Sequence, residues 1–125
     1  MPEITLLFVA LLALLQLVLT LAVGLRRRQT GISFLDGGDD TLLRRMRGHN
    51  NFTETVPIAL LAMGGAEILG IPGYLVWAGG VCILVGRLAH YHVMLTRDAG
   101  AIRFAIMLVT LFPIGGFAVG ILLAL

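Results

Sequence analysis

Four long apolar runs constrain this chain more than any other feature of its sequence. Each is close to the roughly 20 residues that a helix needs to cross the hydrocarbon layer of a membrane. The runs occupy residues 4–25, 52–70, 74–95 and 101–125. Hydrophobic residues make up 58% of the chain and charged residues only 13%, against about 25% charged residues in a soluble domain. The sequence therefore predicts an all-α membrane protein: a single domain over residues 1–125 that forms a bundle of four transmembrane helices.

The arginines predict how these helices are oriented. All 9 basic residues are arginines, and six of them lie between the first and second apolar runs, at positions 26–28, 44, 45 and 47. Arg97 and Arg103 flank the connection between the third and fourth runs, whereas residues 67–73 carry no basic residue. Because arginine-rich loops stay on the cytoplasmic side of a membrane, both termini are expected on the opposite side. The net charge of +2 follows from this topology, so no nucleic-acid partner is expected.

Turn and cap signals give the limits of the predicted helices. Including the polar turns that precede the apolar runs, the helices are expected at about residues 4–25, 41–70, 73–96 and 101–125. Asp39 or Asp40 is expected to cap the second helix. Pro57 lies inside that helix, where its missing N–H and its ring favour a kink. Paired glycines in three of the helices, and the GxxxG pattern from Gly116 to Gly120, favour close helix packing and self-association.

A polar stripe at the start of the second apolar run carries the clearest functional signal. Arg47, Asn51 and Glu54 are separated by four and then three positions, which places them on one face of a helix. An ionisable side chain at membrane depth costs about 2.5 to 3.5 kcal/mol on insertion scales, so such residues generally face a bundle interior and mark a site. The same spacing places Arg87 and His90 on one face of the third helix at a similar depth.

Two readings of this polar region stay open. In the structural one, Glu54 forms an internal salt bridge with Arg47 or Arg87 and nothing is bound. In the functional one, an excess of arginine in a poorly solvated region requires an anionic partner, because an unpaired buried charge costs several kcal/mol. A polycarboxylate or a phosphate headgroup would fit. No metal site is expected, because His90 and His92 point to different faces of one helix and His49 comes from another element.

The segment from Arg47 to Pro57 closely resembles a family signature. Its R-x-x-x-N-x-x-E-x-x-P pattern is similar to that of the MAPEG family, the membrane-associated proteins in eicosanoid and glutathione metabolism. The resemblance extends to the third helix, in the segment from Gly86 to Tyr91, and to Arg103, which matches the family's arginine at the start of the fourth helix. It therefore covers nearly the whole chain.

This resemblance implies a homotrimer of four-helix subunits that binds glutathione, as a cosubstrate, between neighbouring subunits near the cytoplasmic side. The residues predicted to bind it are Arg26, Arg27, Arg47, His49, Asn51, Glu54, Arg87, His90 and Tyr91. Arg103 is the predicted catalytic residue and Arg97 is the alternative. A cation beside the sulfur lowers the pKa of a thiol from about 8.5 and so favours the nucleophilic thiolate. The implied activity is that of a membrane-bound glutathione transferase or peroxidase acting on lipophilic electrophiles or lipid hydroperoxides.

The chain also departs from the eicosanoid branch of the family. Thr55, His90 and Met94 stand where those enzymes carry tyrosines, so possible hydroxyl donors to glutathione are missing. The pattern is closer to bacterial inner-membrane members, which predicts a bacterial inner-membrane location in contact with membrane lipids. The alternative function is therefore a non-catalytic membrane protein of the same fold that binds a lipid or another amphipathic anion.

Overall fold

Four α-helices make up nearly all of the described chain. The computed structural model describes residues 1–96 and 100–125. Its helices, in chain order, are α1 (Glu3–Thr30), α2 (Asp40–Ile68), α3 (Gly73–Thr96) and α4 (Gly100–Ala124). The predicted all-α bundle of four helices is confirmed, and α1 continues five residues beyond its apolar run, through the arginine triplet.

Three of the four helices, α1, α3 and α4, are long and apolar enough to cross a membrane. The prediction counted α2 as a fourth span, but on composition it does not qualify, because its first half is rich in arginine, asparagine and histidine. The packing of the bundle explains how the polar residues of α2 are tolerated. Helix α2 contacts each of the other three helices, whereas α1 and α4 do not contact each other in the described ranges. The most polar helix is therefore one of the two inner helices, and α3, which also contacts the other three, is the second.

Asp39 determines where α2 begins. Its side chain accepts a hydrogen bond from the backbone N–H of Leu42, at 2.6 Å, as an N-cap residue does. The same carboxylate pairs with Arg26 of α1 at 2.7 Å. Of the two predicted caps, Asp39 is the one used, while Asp40 pairs with Arg44 along α2. The ion pair joins the last turns of α1 to the first turn of α2 at the arginine-rich end of the bundle.

Glycines of α3 provide room for aromatic rings from the two outer helices. A Cβ atom at Gly80 would overlap the ring of Phe8 from α1, and one at Gly79 would overlap the ring of Phe117 from α4. Both rings are at least 95% buried. At these paired glycines the closest atoms of the neighbouring helix therefore belong to a side chain and not to its backbone. By contrast, the described structure places nothing within 4 Å of a Cβ at Gly116.

Candidate anion-binding site

An open cavity of about 370 Å³ lies between α2, α3 and α4 at the arginine-rich end of the bundle. Its walls combine charged and amide side chains with methionine and phenylalanine. The lining residues are Arg47, Asn50, Asn51, Glu54, His90, Met94, Arg103, Phe104 and Met107. Five predicted site residues, from three different helices, are thus brought together here.

The polar stripe of α2 forms one wall of this cavity. Arg47 and Glu54 are exposed and Asn51 is half-buried, as expected for residues that share one helical face. The alternative in which Glu54 pairs with Arg47 or Arg87 is not found, since the ion pairs within the described ranges are Arg26–Asp39 and Arg44–Asp40. Glu54, the carboxylate among the described residues of the cavity wall, is therefore free to meet a ligand.

Arg87 lies behind the wall rather than in it. It is only 2% exposed, and its Nη1 donates to Oδ1 of Asn51 at 2.6 Å and to Oγ1 of Thr55 at 3.1 Å. Its Nε donates to Oγ1 of Thr110 at 3.0 Å, and its Nη2 approaches the sulfur of Met107 at 3.1 Å. All of these described partners are neutral, so none of them offsets the charge of the guanidinium, which lies directly behind the cavity.

His90 and Arg103 form the opposite wall. His90 is 8% exposed and comes from the last turns of α3, while Arg103 lies in the first turn of α4. Nη1 of Arg103 lies 3.6 Å from the sulfur of Met94, and both residues line the cavity. Arg97, the alternative partner for a thiolate, lies outside the described residues.

The other predicted binding residues lie elsewhere on the protomer. Arg26 pairs with Asp39, and Arg27 donates to the backbone carbonyl of Leu35 at 2.9 Å. Nε2 of His49 contacts Nε2 of Gln16 in α1, at 2.8 Å. These three residues lie at the contact of α1 with α2 and the following loop, away from the cavity.

Tyr91 is also turned away from the cavity. Its ring packs on Gly48 of α2, where a Cβ atom would lie 2.6 Å from the ring. Thr55, at a family tyrosine position, is buried, and its hydroxyl faces Arg87 instead of the cavity. Met94, at another such position, does line the wall. No hydroxyl therefore reaches the cavity from its described lining residues.

Two residues that the sequence analysis missed belong to the site. Thr110 is fully buried and accepts from Arg87, and Asn50 lines the cavity beside Asn51. The position of Thr110 in the sequence could have identified it. It lies seven positions, or about two helical turns, after Arg103 on the same side of an otherwise apolar helix. A polar side chain on the arginine-bearing side of such a helix indicates a buried partner.

The charges of the cavity favour an anionic or zwitterionic ligand. Arg47 and Arg103 line it, Arg87 lies directly behind it, and Glu54 is the one carboxylate among its described lining residues. Charges of one sign within low-dielectric walls attract ligands of the other sign, and the attraction is stronger than in bulk water. The arrangement can hold carboxylates on its arginines and an ammonium group on its glutamate. It can also stabilise an anionic sulfur.

Fold and site together define a class, that of helical membrane proteins with an arginine-rich cavity at one end of a four-helix bundle. More particularly, the chain belongs to the MAPEG family, whose profile matches residues 5–123. It is 35% identical over 86 residues to the inner membrane protein YecN of Escherichia coli K12. That region covers 69% of this chain and 66% of the relative, just under two thirds of its length. YecN of Escherichia coli O6:H1 strain CFT073 matches with the same values.

Proposed function

We propose that this protein is a membrane-bound glutathione-dependent transferase or peroxidase that acts on lipophilic electrophiles or lipid hydroperoxides. One observation carries the proposal, namely the balance of three arginines against Glu54 at the cavity. Glutathione at neutral pH has two carboxylates, one ammonium group and one thiol. Its charges complement this set, and membership of a family named for glutathione metabolism supports the same ligand.

The cavity suggests a role for each charged group. Glu54 would accept the ammonium group, and Arg47 would bind a carboxylate. Arg103, whose described side-chain contact is the sulfur of Met94, would stabilise the thiolate as the catalytic residue. The thiolate then attacks the electrophile, a carbon–sulfur bond forms and the leaving group departs. With a lipid hydroperoxide, two glutathione molecules are oxidised to the disulfide while the peroxide is reduced to an alcohol and water.

A homotrimer would explain the predicted residues that lie outside this cavity. Arg27 and His49 make contacts on the α1 side of the protomer, and neither is among the residues that line the cavity of the same chain. In a ring of subunits, this side of one subunit would face the cavity of the next. Arg27 and His49, with Arg26 nearby, would then complete the neighbouring site.

The surface of the bundle and its relatives support an inner-membrane location. Large apolar side chains such as Leu14, Leu17 and Leu21 are about 60% exposed along α1, as suits contact with membrane lipids. The relatives from Escherichia coli are inner membrane proteins by name. We place the arginine-rich end at the cytoplasmic side and both termini at the other side, because of the positive-inside rule.

The first test measures the thermal midpoint of the detergent-purified protein with and without millimolar glutathione. A ligand that binds only the folded state raises stability by about 2.7 kcal/mol at one hundred times its Kd. We expect an upward shift that Arg47→Ala and Glu54→Ala each abolish. Arg28→Ala is the matched control, because Arg28 is exposed and outside the cavity. No shift with the intact protein would refute glutathione binding.

A second function is favoured by an apolar groove of about 580 Å³ between α3 and α4, lined by residues such as Leu75, Cys82 and Phe112. In this alternative the fold binds a lipid or other amphipathic anion without catalysis, which would also suit a cavity whose described lining residues carry no hydroxyl. Arg103→Ala separates the two functions. For an enzyme, turnover collapses while binding survives, whereas a non-catalytic protein shows no turnover before or after the change.

A further inference from the structure

The amide of Asn51 has a defined orientation. An asparagine amide has one accepting oxygen and one donating NH₂ group, whereas a guanidinium has only donors. Nη1 of Arg87 lies 2.6 Å from Oδ1 of Asn51, and only the oxygen can accept from it. The amide is therefore fixed with its oxygen towards the buried arginine.

The NH₂ group of Asn51 is then left for the cavity. None of the described hydrogen bonds uses Nδ2 of Asn51, and within the described ranges no buried side-chain nitrogen or oxygen atom lacks a partner. Nδ2 is therefore accessible, and Asn51 is one of the residues that line the cavity. At this point the Asn51 amide offers the cavity a hydrogen-bond donor, while its oxygen accepts from Arg87.

Arg87 is itself fixed by groups from two other helices. Thr55 of α2 accepts from Nη1, and Thr110 of α4 accepts from Nε. The hydroxyl of Thr55 in turn donates to the backbone carbonyl of Asn51. Thr110 is fully buried and Arg87 is 2% exposed, so neither side chain is in a position to contact a ligand. Their effect on a ligand has to pass through Asn51.

We propose that Arg87 and Thr110 are positioning residues that lock the Asn51 amide as a donor, so that the site selects a ligand with an anionic acceptor at this point. The inference rests on the proposed function and deepens it, since it assigns a selecting group to the same cavity. A freely rotating asparagine accepts ligands with either a donor or an acceptor. The locked amide of Asn51 would reject a donor, because two N–H groups would then face each other.

Two isosteric substitutions, each measured by calorimetry with glutathione, test the role of the amide. Asn51→Asp keeps the contact with Arg87 but replaces the donor by an acceptor, and Asn50→Asp adds the same charge to the same cavity wall without touching Arg87. We expect Asn51→Asp to raise the Kd at least tenfold more than Asn50→Asp does. Equal effects of the two substitutions would mean that charge alone matters and would overturn the proposal.

The lock itself is tested without any ligand. Asn50 and Asn51 are the only asparagines of the chain, so labelling with ¹⁵N-asparagine gives two side-chain NH₂ signals, which the Asn50→Asp and Asn51→Asp variants assign. Thr110→Val removes the acceptor of Nε at nearly constant volume, and Thr110→Ser retains it. We expect the valine variant to shift the Asn51 signal but not that of Asn50, and to raise the Kd for glutathione about three- to tenfold. In the Thr110→Ser variant, both the Asn51 signal and the Kd for glutathione should stay close to those of the unsubstituted protein.

An Asn51 signal that is unchanged in Thr110→Val would overturn the positioning role, whatever the stability of the variant. This outcome is distinct from failure of the proposed function. If the unsubstituted protein does not bind glutathione at all, the function is refuted, yet the NH₂ signals still report whether Thr110 and Arg87 hold the amide.

Discussion

The carboxylate of Glu67, near the end of α2, caps the first turn of α1 at Thr5. One oxygen accepts from the backbone N–H of Ile4 at 2.9 Å, and the other accepts from the N–H and the hydroxyl of Thr5, at 2.8 and 2.6 Å. The residue at the N-cap position itself, Pro2, makes no side-chain hydrogen bond of this kind. Glu67 thus satisfies helix-end donors that have no partner within α1, and its negative charge lies at the positive end of that helix.

Glu67→Gln should therefore destabilise the bundle. The amide retains one acceptor but loses the charge, and hydrogen bonds to charged groups are worth about 1.5 to 3 kcal/mol. We expect the free energy of unfolding, measured by titration with a denaturing detergent, to fall by about 2 kcal/mol. Glu3→Gln is the matched control, because Glu3 is exposed in the same helix turn. A loss no larger than that of the control would show that the cap contributes little.

The ion pair of Asp39 with Arg26 gives the stability a dependence on pH. The hydrogen bond from Arg26 holds the pKa of the Asp39 carboxyl below its ordinary value of 3.8, and the bond from the N–H of Leu42 acts in the same direction. A lowered carboxyl pKa in the folded state means that this contribution is fully present above the unfolded pKa and is lost as the pH falls through the folded one.

Asp39→Asn isolates this contribution, because asparagine is also a good N-cap residue but carries no charge. We expect the native protein to be more stable than the variant at neutral pH. The difference should begin to shrink as the pH falls below about 4 and should disappear below the lowered pKa of Asp39. The measurement is the thermal midpoint of both proteins across that range. A difference that stays constant with pH would contradict the assignment to the Asp39 charge.

Patterns along the chain predicted the helices, a cap at Asp39 or Asp40, and the shared face of Arg47, Asn51 and Glu54. They did not resolve the polar patch of α3, where the structure separates Arg87, behind the cavity, from His90, in its wall. The two positions differ by only about 60° around a helix. Because α3 packs against both α2 and α4 in this region, a small rotation decides which side chain reaches the cavity. Only the packing of the neighbouring helices fixes that rotation.

Contacts between distant parts of the chain were also beyond the sequence. Nothing near Glu67 indicates that its partner is Thr5, 62 residues away. The expectation that glycine pairs bring helix backbones together was incomplete for the same reason, since the rings that fill Gly79 and Gly80 come from Phe117 and Phe8. Such pairings depend on how the helices are arranged in space, which the pattern within one helix does not contain.

The two aromatic contacts on α3 predict a strong asymmetry among alanine substitutions. A methyl group at Gly80 would overlap Phe8, and overpacking of this kind costs about 1 to 3 kcal/mol. Gly116→Ala has open space and should be neutral or slightly stabilising, because alanine favours a helix more than glycine does. Detergent titration should rank the two variants in that order. If adding Phe8→Leu restores the stability of the Gly80→Ala variant, the loss is due to overlap with the Phe8 ring. If stability is not restored, that explanation is wrong.

Arg103 should affect the chemical step more than the binding of glutathione. Removing a single charge-stabilising group from an active site lowers turnover by about 10² to 10³. We expect Arg103→Ala to reduce kcat with a lipophilic electrophile by such a factor, and to change the Kd for glutathione less than tenfold. The ultraviolet absorbance of bound thiolate should disappear in parallel at neutral pH, because the thiol then returns towards its ordinary pKa of about 8.5.

Two variants distinguish this role from general damage to the cavity. Arg103→Lys keeps a positive charge at the same position and should recover part of the turnover and of the thiolate absorbance. Arg47→Ala removes a charge from another wall of the same cavity, so it should weaken binding while leaving the turnover of the bound complex closer to normal. If Arg103→Ala instead abolishes binding and leaves the turnover of bound glutathione unchanged, Arg103 is a binding residue. The thiolate must then be stabilised by another group of the cavity, such as His90.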